Sequence, residues 1–446
     1  MSDPPRIKLA EFDAQRVSLR ARWVFSGCGP PLENATVEIT AGRVSAIHNR
    51  CDRPSCDLGN AAIIPGLVNA HTHLELSDVT APLPPASSLK KGTVPLGKID
   101  LLRRNHSLER DSPLFQQAAA PFTDWLKAVM AHRQNRAANV AADDQAVMAG
   151  LSESARHGTT TIGDIAARSA SRTPAGTHSR MRTVAFLEIL GLAPERIAPQ
   201  LRRAHEYLAG DATVIRGISP HAPYSVHPDL LSGLTDMAVK YRAPLAMHLA
   251  ETRSELELLA TGGGEFVPFL QELGVWRDDA IPRGSRPLDY LRELARAERA
   301  LAIHGNYFDD EEIEFVAAHS NISVVYCPRT HAYFQQAPHP WRKLLSRGVN
   351  LALGTDSRAS NPDLSLFGEM QFLRKLTPDL DPAHLLQLGT SNGARALGVD
   401  DETGTLAVGK SADLAIVSLP ESNRNDPCSL LFDPASRIVD LPPVEQ

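Results

Sequence analysis

The chain has 446 residues, of which 43% are hydrophobic and 22% are charged, and its net charge is -6. This composition is typical of a folded globular protein and is too apolar for a disordered chain. Charges of both signs are mixed along the sequence, which gives no indication of nucleic acid or an anionic membrane as a partner. A chain of this length predicts either two domains or one large domain with an accessory part.

The cysteines are odd in number and scattered, and no CxxC pair occurs; they are Cys28, Cys51, Cys56, Cys327 and Cys428. This pattern predicts reduced thiols and argues against a cysteine zinc cluster. The first residues lack the apolar segment of a secretion signal, and no apolar run approaches the length of a membrane-spanning helix. We therefore expect a cytoplasmic protein with no membrane partner.

Short alternating segments at both ends of the chain predict β-strands. Residues 17–25 (VSLRARWVF) and 35–40 (ATVEIT) alternate apolar and polar side chains, and a turn (AGRV) leads into VSAI. Residues 403–419 (TGTLAVGKSADLAIVSL) show the same alternation near the other end. Neither piece could bury a core alone, so we expect residues 1–58 and 403–446 to form one small β-sandwich.

The intervening residues 59–402 follow a different pattern. Short apolar runs that end in polar residues alternate with amphipathic stretches such as LLSGLTDMAVKY and EEIEFVAAH. This alternation predicts a parallel α/β fold, and about eight such units favour a (β/α)8 TIM-like barrel over an open doubly wound sheet. No GxGxxG motif follows an early strand, which argues against dinucleotide binding. Residues 80–120 are rich in Pro, Ser and Gly and predict a long loop, a candidate lid.

The stretch NAHTHLELS places His71 and His73 next but one to each other at the end of an apolar run. On an extended chain this spacing points both imidazoles to the same side. His248, His304 and Asp356 likewise close the apolar segments APLAMH, ALAIH and NLALGTD. A single histidine at a strand end is more often a hydrogen-bonded core residue, but barrel strand ends converge on one mouth. Three neutral imidazoles and a carboxylate suit zinc or iron(II), so we expect a metal site.

Other polar residues follow strand-like segments and are candidates for the same mouth. Glu251, in HLAE, is either a first-turn helix carboxylate favoured by the helix dipole or a general acid and base beside the metal. We favour the second interpretation because a candidate ligand lies three residues earlier. His221, in SPHAPYSV, is a candidate substrate contact. For three further residues the sequence leaves open whether they contact the substrate or form structural ion pairs; they are Glu75 (HTHLE), Glu188 (FLEIL) and Arg329 (CPRTH).

Together, PGLVNAHTHLELS, HLAE, HGNY and GTDSRASN resemble the amidohydrolase superfamily, in this order and over nearly the whole chain. The resemblance implies a metal-dependent hydrolase barrel with a small sandwich built from both chain ends. The metal ligands that it implies are His71, His73, His248 and Asp356. It also implies that His304 orients the attacking water and polarises the substrate.

The end of the fourth barrel strand separates the branches of this superfamily. Members with two metals carry a carbamylated lysine or a carboxylate there, where this sequence has His221 in SPHAPYS. The chain therefore resembles the one-metal branch, which includes cytosine, guanine and S-adenosylhomocysteine deaminases and the triazine chlorohydrolases. In that branch the residue matching His221 contacts the substrate, and the residue matching Glu251 is the proton shuttle.

Three shorter motifs, HTHLELS, FLEILG and CPRTHAYF, look most like the aminodeoxyfutalosine deaminase group. That group acts on an adenine nucleoside in menaquinone biosynthesis. Enzymes of the adenosylhomocysteine type usually carry a serine–asparagine pair at the position of CPRTH instead.

We therefore expect a hydrolytic deaminase with one divalent ion, zinc or iron(II), that releases ammonia from an amino-heterocycle such as aminodeoxyfutalosine. The expected catalytic residues are Glu251, His304 and Asp356. The expected substrate-binding residues are His221, Glu75, Glu188 and Arg329.

Alternatives remain on the same sequence. A chlorohydrolase or a cyclic amidase could use the same metal site, and a non-catalytic metal-binding barrel or a metal storage module would belong to another class. The expected partners are a small-molecule substrate and, in a homodimer, a second copy of the chain.

Overall fold

The computed structural model describes residues 16–49, 54–85, 121–136, 140–167, 181–210, 214–422 and 426–440. Residues 86–120, most of the predicted loop and candidate lid, lie outside the described residues, as does Cys51. The four cysteines that are described carry free thiols. Within the described ranges, no helix is both long enough and apolar enough to cross a membrane.

The strands of the described residues are β1 Arg16–Val24, β2 Leu32–Thr40, β3 Arg43–His48, β4 Cys56–Asp57, β5 Ala61–Pro65, β6 Leu67–Thr72, β7 Thr159–Ala166, β8 Arg182–Ile189, β9 Ile215–Pro220, β10 Leu245–Leu249, β11 Ala300–His304, β12 Ile322–Tyr326, β13 Asn350–Leu353, β14 Leu414–Ser418 and β15 Arg437–Val439. The α-helices are α1 Phe122–Arg136, α2 Val140–Arg156, α3 Ile197–Ala209, α4 Pro228–Tyr241, α5 Arg253–Thr261, α6 Phe266–Glu272, α7 Pro287–Leu294, α8 Asp310–Ala318, α9 Pro328–Tyr333, α10 Trp341–Ser346, α11 Leu366–Leu376, α12 Pro382–Leu388, α13 Ser391–Leu397 and α14 Pro427–Leu431. Single 3-10 turns occur at Leu74–Leu76 and Pro194–Arg196.

Strands from both chain ends form one seven-stranded sheet, as the alternating segments predict. Its order is β15-β14-β5-β1-β2-β3, and β4 pairs with β1. Leu19, Val37 and Ile63 are fully buried in its own hydrophobic cluster. Strand β5 belongs to this sheet, although the proposed boundary between residues 58 and 59 assigns it to the barrel. A boundary after Pro65 would keep the whole sheet in one unit.

The central part of the chain forms the predicted TIM-like barrel. Eight parallel strands follow one another in the order β6 to β13, each hydrogen-bonded to its neighbours along the sheet. The first and last strands approach each other through a parallel bridge between Thr72 and Asp356. The Asn69 side-chain amide also donates to Thr355 Oγ1 at 2.8 Å across this seam. The barrel is therefore nearly closed, and its strand ends point to one mouth.

The barrel strands form because their residues can be buried on both faces. Every residue of β10, β11 and β12 is buried, as expected for parallel strands covered by helices outside and by packed side chains inside. Phe186 and Ala246 belong to the inner cluster of apolar side chains. Because side chains alternate along a strand, Glu188 shares the inner face with Phe186, and His248 shares it with Ala246.

Local capping places the helices that follow the strands. The His227 ring accepts from the backbone of Asp229 and starts α4. A capping box between Asp309 and Glu312 starts α8. Arg242, in the left-handed conformation, ends α4. These contacts fix where α4 and α8 begin and where α4 ends.

Candidate metal centre and active site

The structure brings three of the predicted histidines together at the barrel mouth. His71 and His73 come from the end of β6, and His248 comes from β10. Their ring nitrogens lie within 4.8 Å of one another, and all three side chains are buried. Nε2 of His73 and Nε2 of His248 are 3.3 Å apart. This cluster has the nitrogen donors of a borderline divalent metal site.

Asp356 supplies a carboxylate to the same cluster. Its Oδ1 lies 3.4 Å from Nε2 of His71 and 3.6 Å from Nε2 of His73. The Ser360 hydroxyl donates to its other oxygen at 2.7 Å. Although burial alone would raise the pKa of Asp356, the neighbouring imidazoles, His71 first among them, hold it below the usual range. The carboxylate is thereby kept ionised for a cation.

The strand ends adopt unusual backbone conformations at the site. Ala250, His304 and Asp356 have φ values of 51°, 72° and 53°, a region that residues other than glycine rarely adopt. Gly354 lies so close to His71 that an added Cβ would meet its Cβ and carbonyl oxygen at 2.9 Å. Backbone strain of this kind is concentrated at functional sites, where the surrounding packing maintains it.

The imidazole nitrogens fit a metal better than they fit a hydrogen-bond network. Both ring nitrogens of His71 and Nδ1 of His73 are buried without a hydrogen-bond partner among the described residues. Nδ1 of His248 donates to the His221 carbonyl at 2.9 Å, which leaves its Nε2 lone pair facing the cluster. Burial lowers the pKa of His73 and His248, so both are neutral and able to bind a cation.

Glu251 and His304 form a second pair beside the cluster. Oε1 of Glu251 lies 3.5 Å from Nε2 of His304. The backbone N–H of Glu251 donates to the Glu255 carboxylate at 3.0 Å, and the Asn306 amide donates to the Glu251 carbonyl at 2.9 Å. His339 donates to the His304 carbonyl at 2.8 Å. Burial, followed by the charge of nearby Asp356, raises the pKa of Glu251, which suits a group that must hold and release a proton.

His221 lies at the edge of the pocket that contains these residues. Its Nδ1 is hydrogen-bonded to the Ser225 hydroxyl at 2.8 Å, and its Nε2 lies 3.9 Å from Oε1 of Glu188. Burial lowers its pKa to about 3, so the ring is neutral. A neutral ring whose Nε2 faces the pocket can donate to or accept from a ligand.

Arg133 is a pocket residue that the sequence reasoning missed. It projects from α1, and its guanidinium lies 2.5 Å from Glu75 and 3.3 Å from Glu188. Burial raises the pKa of Glu75 in spite of this cation, and Oε1 of Glu188 has no hydrogen-bond partner among the described residues. Both glutamates are therefore paired with an arginine, and Glu188 keeps an oxygen free beside His221.

Arg329, in contrast, does not point into the pocket. It lies on α9, where its guanidinium is 2.6 Å from Glu369 and 2.8 Å from Asp363. Its backbone N–H also donates to Glu369 at 2.9 Å. The side chain is buried and its hydrogen bonds join α9 to α11 and the loop before it, which is structural pairing. Of the predicted site residues, this one is placed away from the others.

The sequence model of the amidohydrolase family matches residues 62–443. A 5-methylthioadenosine/S-adenosylhomocysteine deaminase of Syntrophobacter fumaroxidans is 28% identical over 397 residues, covering 86% of this chain and 77% of the relative. An aminodeoxyfutalosine deaminase of Nitratiruptor sp. is 27% identical over 378 residues, covering 82% of this chain and 81% of the relative.

Among solved structures, an adenosine deaminase from Xanthomonas campestris with bound zinc has a TM-score of 0.70 and 24% sequence identity. The match covers 93% of this chain and 88% of that chain. At this identity the similarity shows that the two proteins share a fold.

Proposed function

The chain belongs to the amidohydrolase family, and on that premise we propose that it is a metal-dependent hydrolase that deaminates an adenine nucleoside. The observation that carries the proposal is the position of the Glu251–His304 pair beside the cluster of three histidines and Asp356. The names of the relatives, which are deaminases of substituted adenosines, support the same reaction class.

Four side chains would hold one divalent ion, zinc or iron(II); they are His71, His73, His248 and Asp356. His221 occupies the end of β9, where a second metal would need a carboxylate or a modified lysine, and this favours a single ion. When bound, such an ion acts as a Lewis acid and lowers the pKa of water towards neutrality.

The residues around the cluster can then move the protons of a hydrolytic deamination. Glu251 takes a proton from the attacking water and gives it to the ring nitrogen next to the amino-bearing carbon. The water oxygen forms a bond to that carbon, and His304 and Asp356 stabilise the adduct and orient the water. A second proton moves to the amino group, the carbon–nitrogen bond breaks, and ammonia leaves. The adenine is thereby converted into hypoxanthine, with one water consumed.

The remaining pocket residues are suited to a polar nucleoside. His221 and the free oxygen of Glu188 lie together near the ring of His248, whose centroid is 4.9 Å from that of His221. Arg133 also lines this pocket, where it is paired with Glu75. A small apolar triazine would leave Nε2 of His221 and Oε1 of Glu188 without hydrogen-bond partners at a cost of about 1–3 kcal/mol each, which favours a nucleoside over a chlorohydrolase substrate.

The proposal is tested with purified protein loaded with zinc or with iron(II). The adenine-to-hypoxanthine absorbance change and ammonia release are measured with adenosine, methylthioadenosine, adenosylhomocysteine and aminodeoxyfutalosine. We expect turnover of at least one of the four, with ammonia in equal amount. Activity on triazines with none on nucleosides would replace the deaminase by a chlorohydrolase. Tight metal binding without turnover of any compound would favour a non-catalytic barrel.

A further inference from the structure

The backbone of Glu251 is held on both sides by buried polar side chains. Its N–H donates to Oε2 of Glu255 at 3.0 Å, and its carbonyl accepts from the Asn306 amide at 2.9 Å. Glu255 is fully buried and Asn306 is 5% exposed. We call these two residues the clamp. Neither is among the described residues that line the metal pocket, so the clamp contacts Glu251 from outside the space available to a ligand.

Glu255 binds two successive backbone N–H groups. Its Oε1 accepts from Ala250 at 2.8 Å, while its Oε2 accepts from Glu251. Successive N–H groups that converge on one anion form a nest, and here the anion is a side chain of the protein itself. Ala250 has a φ of 51°, the left-handed conformation expected for one residue of a nest. Glu255 therefore stabilises a backbone conformation that residues other than glycine rarely adopt.

The helix that carries Glu255 has a separate N-cap. Thr252 precedes α5, and its hydroxyl accepts from the Glu255 N–H at 3.1 Å. In an ordinary capping box, the glutamate three residues after the N-cap bonds back to the N-cap N–H. The Glu255 carboxylate extends to the two residues before the N-cap, in the turn where β10 has ended. The contact thus fixes the turn that carries Glu251 as well as the start of the helix.

Asn306 connects the same turn to the strand end that carries His304. The Tyr307 N–H donates to the Ala250 carbonyl at 3.2 Å, which continues the pairing of β10 and β11 past the ends of both strands. The Asn306 amide adds a bond to the next carbonyl, that of Glu251. The two turns are therefore tied together, with Glu251 on one and His304 at the start of the other.

We propose that Glu255 and Asn306 are positioning residues for the deamination. By fixing the peptide groups of Glu251, they set the position of its carboxyl group relative to His304 and to the ring nitrogen that receives the proton. This inference rests on the proposed function and assigns to that reaction two residues that do not touch the substrate. A proton donor must lie within hydrogen-bond reach of its acceptor, and a displacement of about 1 Å can reduce a rate about 100-fold. The separation of 3.5 Å between Oε1 of Glu251 and Nε2 of His304 is the distance that the clamp maintains.

The test is a double-mutant cycle on kcat, measured with the metal-loaded protein and its best nucleoside substrate. Glu255→Gln has one acceptor oxygen for two N–H groups, so kcat should fall about 10–100-fold, with KM and metal content unchanged. In the Glu251→Gln background, the same substitution should change kcat less than about 2-fold, because a positioning residue has no effect once the group that it positions is lost. Equal losses in the two backgrounds would give Glu255 a purely structural role and overturn the proposal.

Glu255→Asp distinguishes position from charge. The charge of Glu255 contributes, after burial and the charge of Asp356, to the raised pKa of Glu251, so a purely electrostatic role is the alternative. Aspartate keeps the charge but is too short to reach both N–H groups, and kcat should fall as far as in Glu255→Gln. Wild-type kcat in Glu255→Asp would contradict the proposal.

Asn306→Ala tests the uncharged arm of the clamp and does so even if the Glu255 variants fail to fold. It removes one neutral hydrogen bond, so kcat should fall about 3–10-fold, again only where Glu251 is present. An unchanged kcat would remove Asn306 from the clamp and contradict the proposal.

Glu312→Gln is the matched control. Glu312 is a buried glutamate in the first turn of α8 that accepts from the Asp309 N–H at 2.9 Å, and it is not among the described residues that line the metal pocket. The variant should lower the urea midpoint, as Glu255→Gln does, and leave kcat unchanged. A fall in kcat equal to that of Glu255→Gln would attribute both losses to helix stability and overturn the proposal.

Structural measurements separate the clamp from the proposed function. Hydrogen exchange of the Ala250 and Glu251 amides, followed by mass spectrometry, should be slow in the wild-type protein and faster in Glu255→Gln. If no nucleoside is deaminated, the proposed function fails, and the exchange rates and a crystal structure of the variant decide the clamp by themselves. Unaltered exchange at these two amides contradicts it. So does a variant that keeps both the left-handed Ala250 and the 3.5 Å separation between Glu251 and His304.

Discussion

Oε1 of Glu251 lies 3.5 Å from Nε2 of His304, and their side chains are only 7% and 3% exposed. Burial raises the pKa of the carboxyl group and lowers that of the imidazole. Both shifts favour a neutral pair in which the carboxyl group holds the proton. That is the form that protonates a ring nitrogen, and in the proposed mechanism Glu251 reaches it by taking a proton from the attacking water.

We expect Glu251→Gln to keep its metal and to lose activity. Glutamine retains the shape of the side chain and the backbone N–H bond to Glu255, but it cannot transfer a proton. The value of kcat should fall by roughly 10²–10⁴, the usual contribution of general acid–base catalysis. Steady-state kinetics and elemental analysis of the same preparation measure both properties.

The exposed Glu311 on α8 offers a matched control. Glu311→Gln should change neither metal content nor kcat, because this carboxylate is paired with Arg286 on the surface. Near-normal turnover in Glu251→Gln would remove Glu251 from the mechanism, whatever the control shows.

A second prediction concerns Ser360, whose hydroxyl donates to Oδ2 of Asp356 at 2.7 Å. If Asp356 is a metal ligand, this bond orients it, and its loss in Ser360→Ala should weaken metal binding about 10–100-fold. Competition with a chromophoric chelator measures the affinity. Asp356→Ala and His73→Ala, which remove proposed ligands, should lose the ion altogether. Two equivalents of metal retained by wild-type protein after dialysis would contradict the single-ion site.

A third prediction concerns Arg133, which lies between Glu75 and Glu188. Arg133→Met leaves two buried carboxylates without their shared cation, so one of them should take up a proton. The polar side chains of the pocket should then no longer be held in the positions that bind the nucleoside. We expect a large rise in KM for the nucleoside, with metal content unchanged. Arg133→Lys keeps the charge but not the two-armed geometry and should be intermediate. A fall in kcat at unaltered KM would instead give Arg133 a role in the chemical step.

The proximity of the three histidines and Asp356 could be predicted from sequence because each of them lies at the end of a strand. His71, His73, His248 and Asp356 each close a buried apolar segment, and the parallel barrel brings all such ends to one mouth. The same rule places Arg329 near the mouth but does not give the direction of its side chain. That direction depends on Glu369, forty positions later on α11.

Other features depend on contacts that no local pattern encodes. Arg133 reaches the pocket from α1, which is separated from β6 in the sequence by residues 86–120. It does not lie at the end of a strand, so nothing in the sequence around it indicates a site. The apolar run AAIIPGLV is broken by a Pro-Gly pair, and the structure divides it at Gly66 between two sheets. An added Cβ on Gly66 would meet Thr160 Oγ1 at 2.2 Å, so the close packing of β7 requires glycine there.

The last prediction concerns the dependence of stability on pH at Asp164, a buried residue of β7 that accepts from the Leu74 backbone N–H at 2.9 Å. Burial raises its pKa from 3.8 to about 7, and the charges of Glu75 and Glu188 add to the shift. Between these two values the folded protein keeps a proton that the unfolded chain releases, so this group's contribution to stability falls as pH rises and stays low above pH 7. The difference corresponds to at most about 4 kcal/mol.

Asp164→Asn cannot ionise but still accepts the Leu74 bond, so its urea midpoint should exceed that of the wild type at pH 8, with little difference at pH 4. The control Asp144→Asn, exposed on α2, should match the wild type at both. An equal change in midpoint at the two pH values would show that Asp164 is not held protonated by burial.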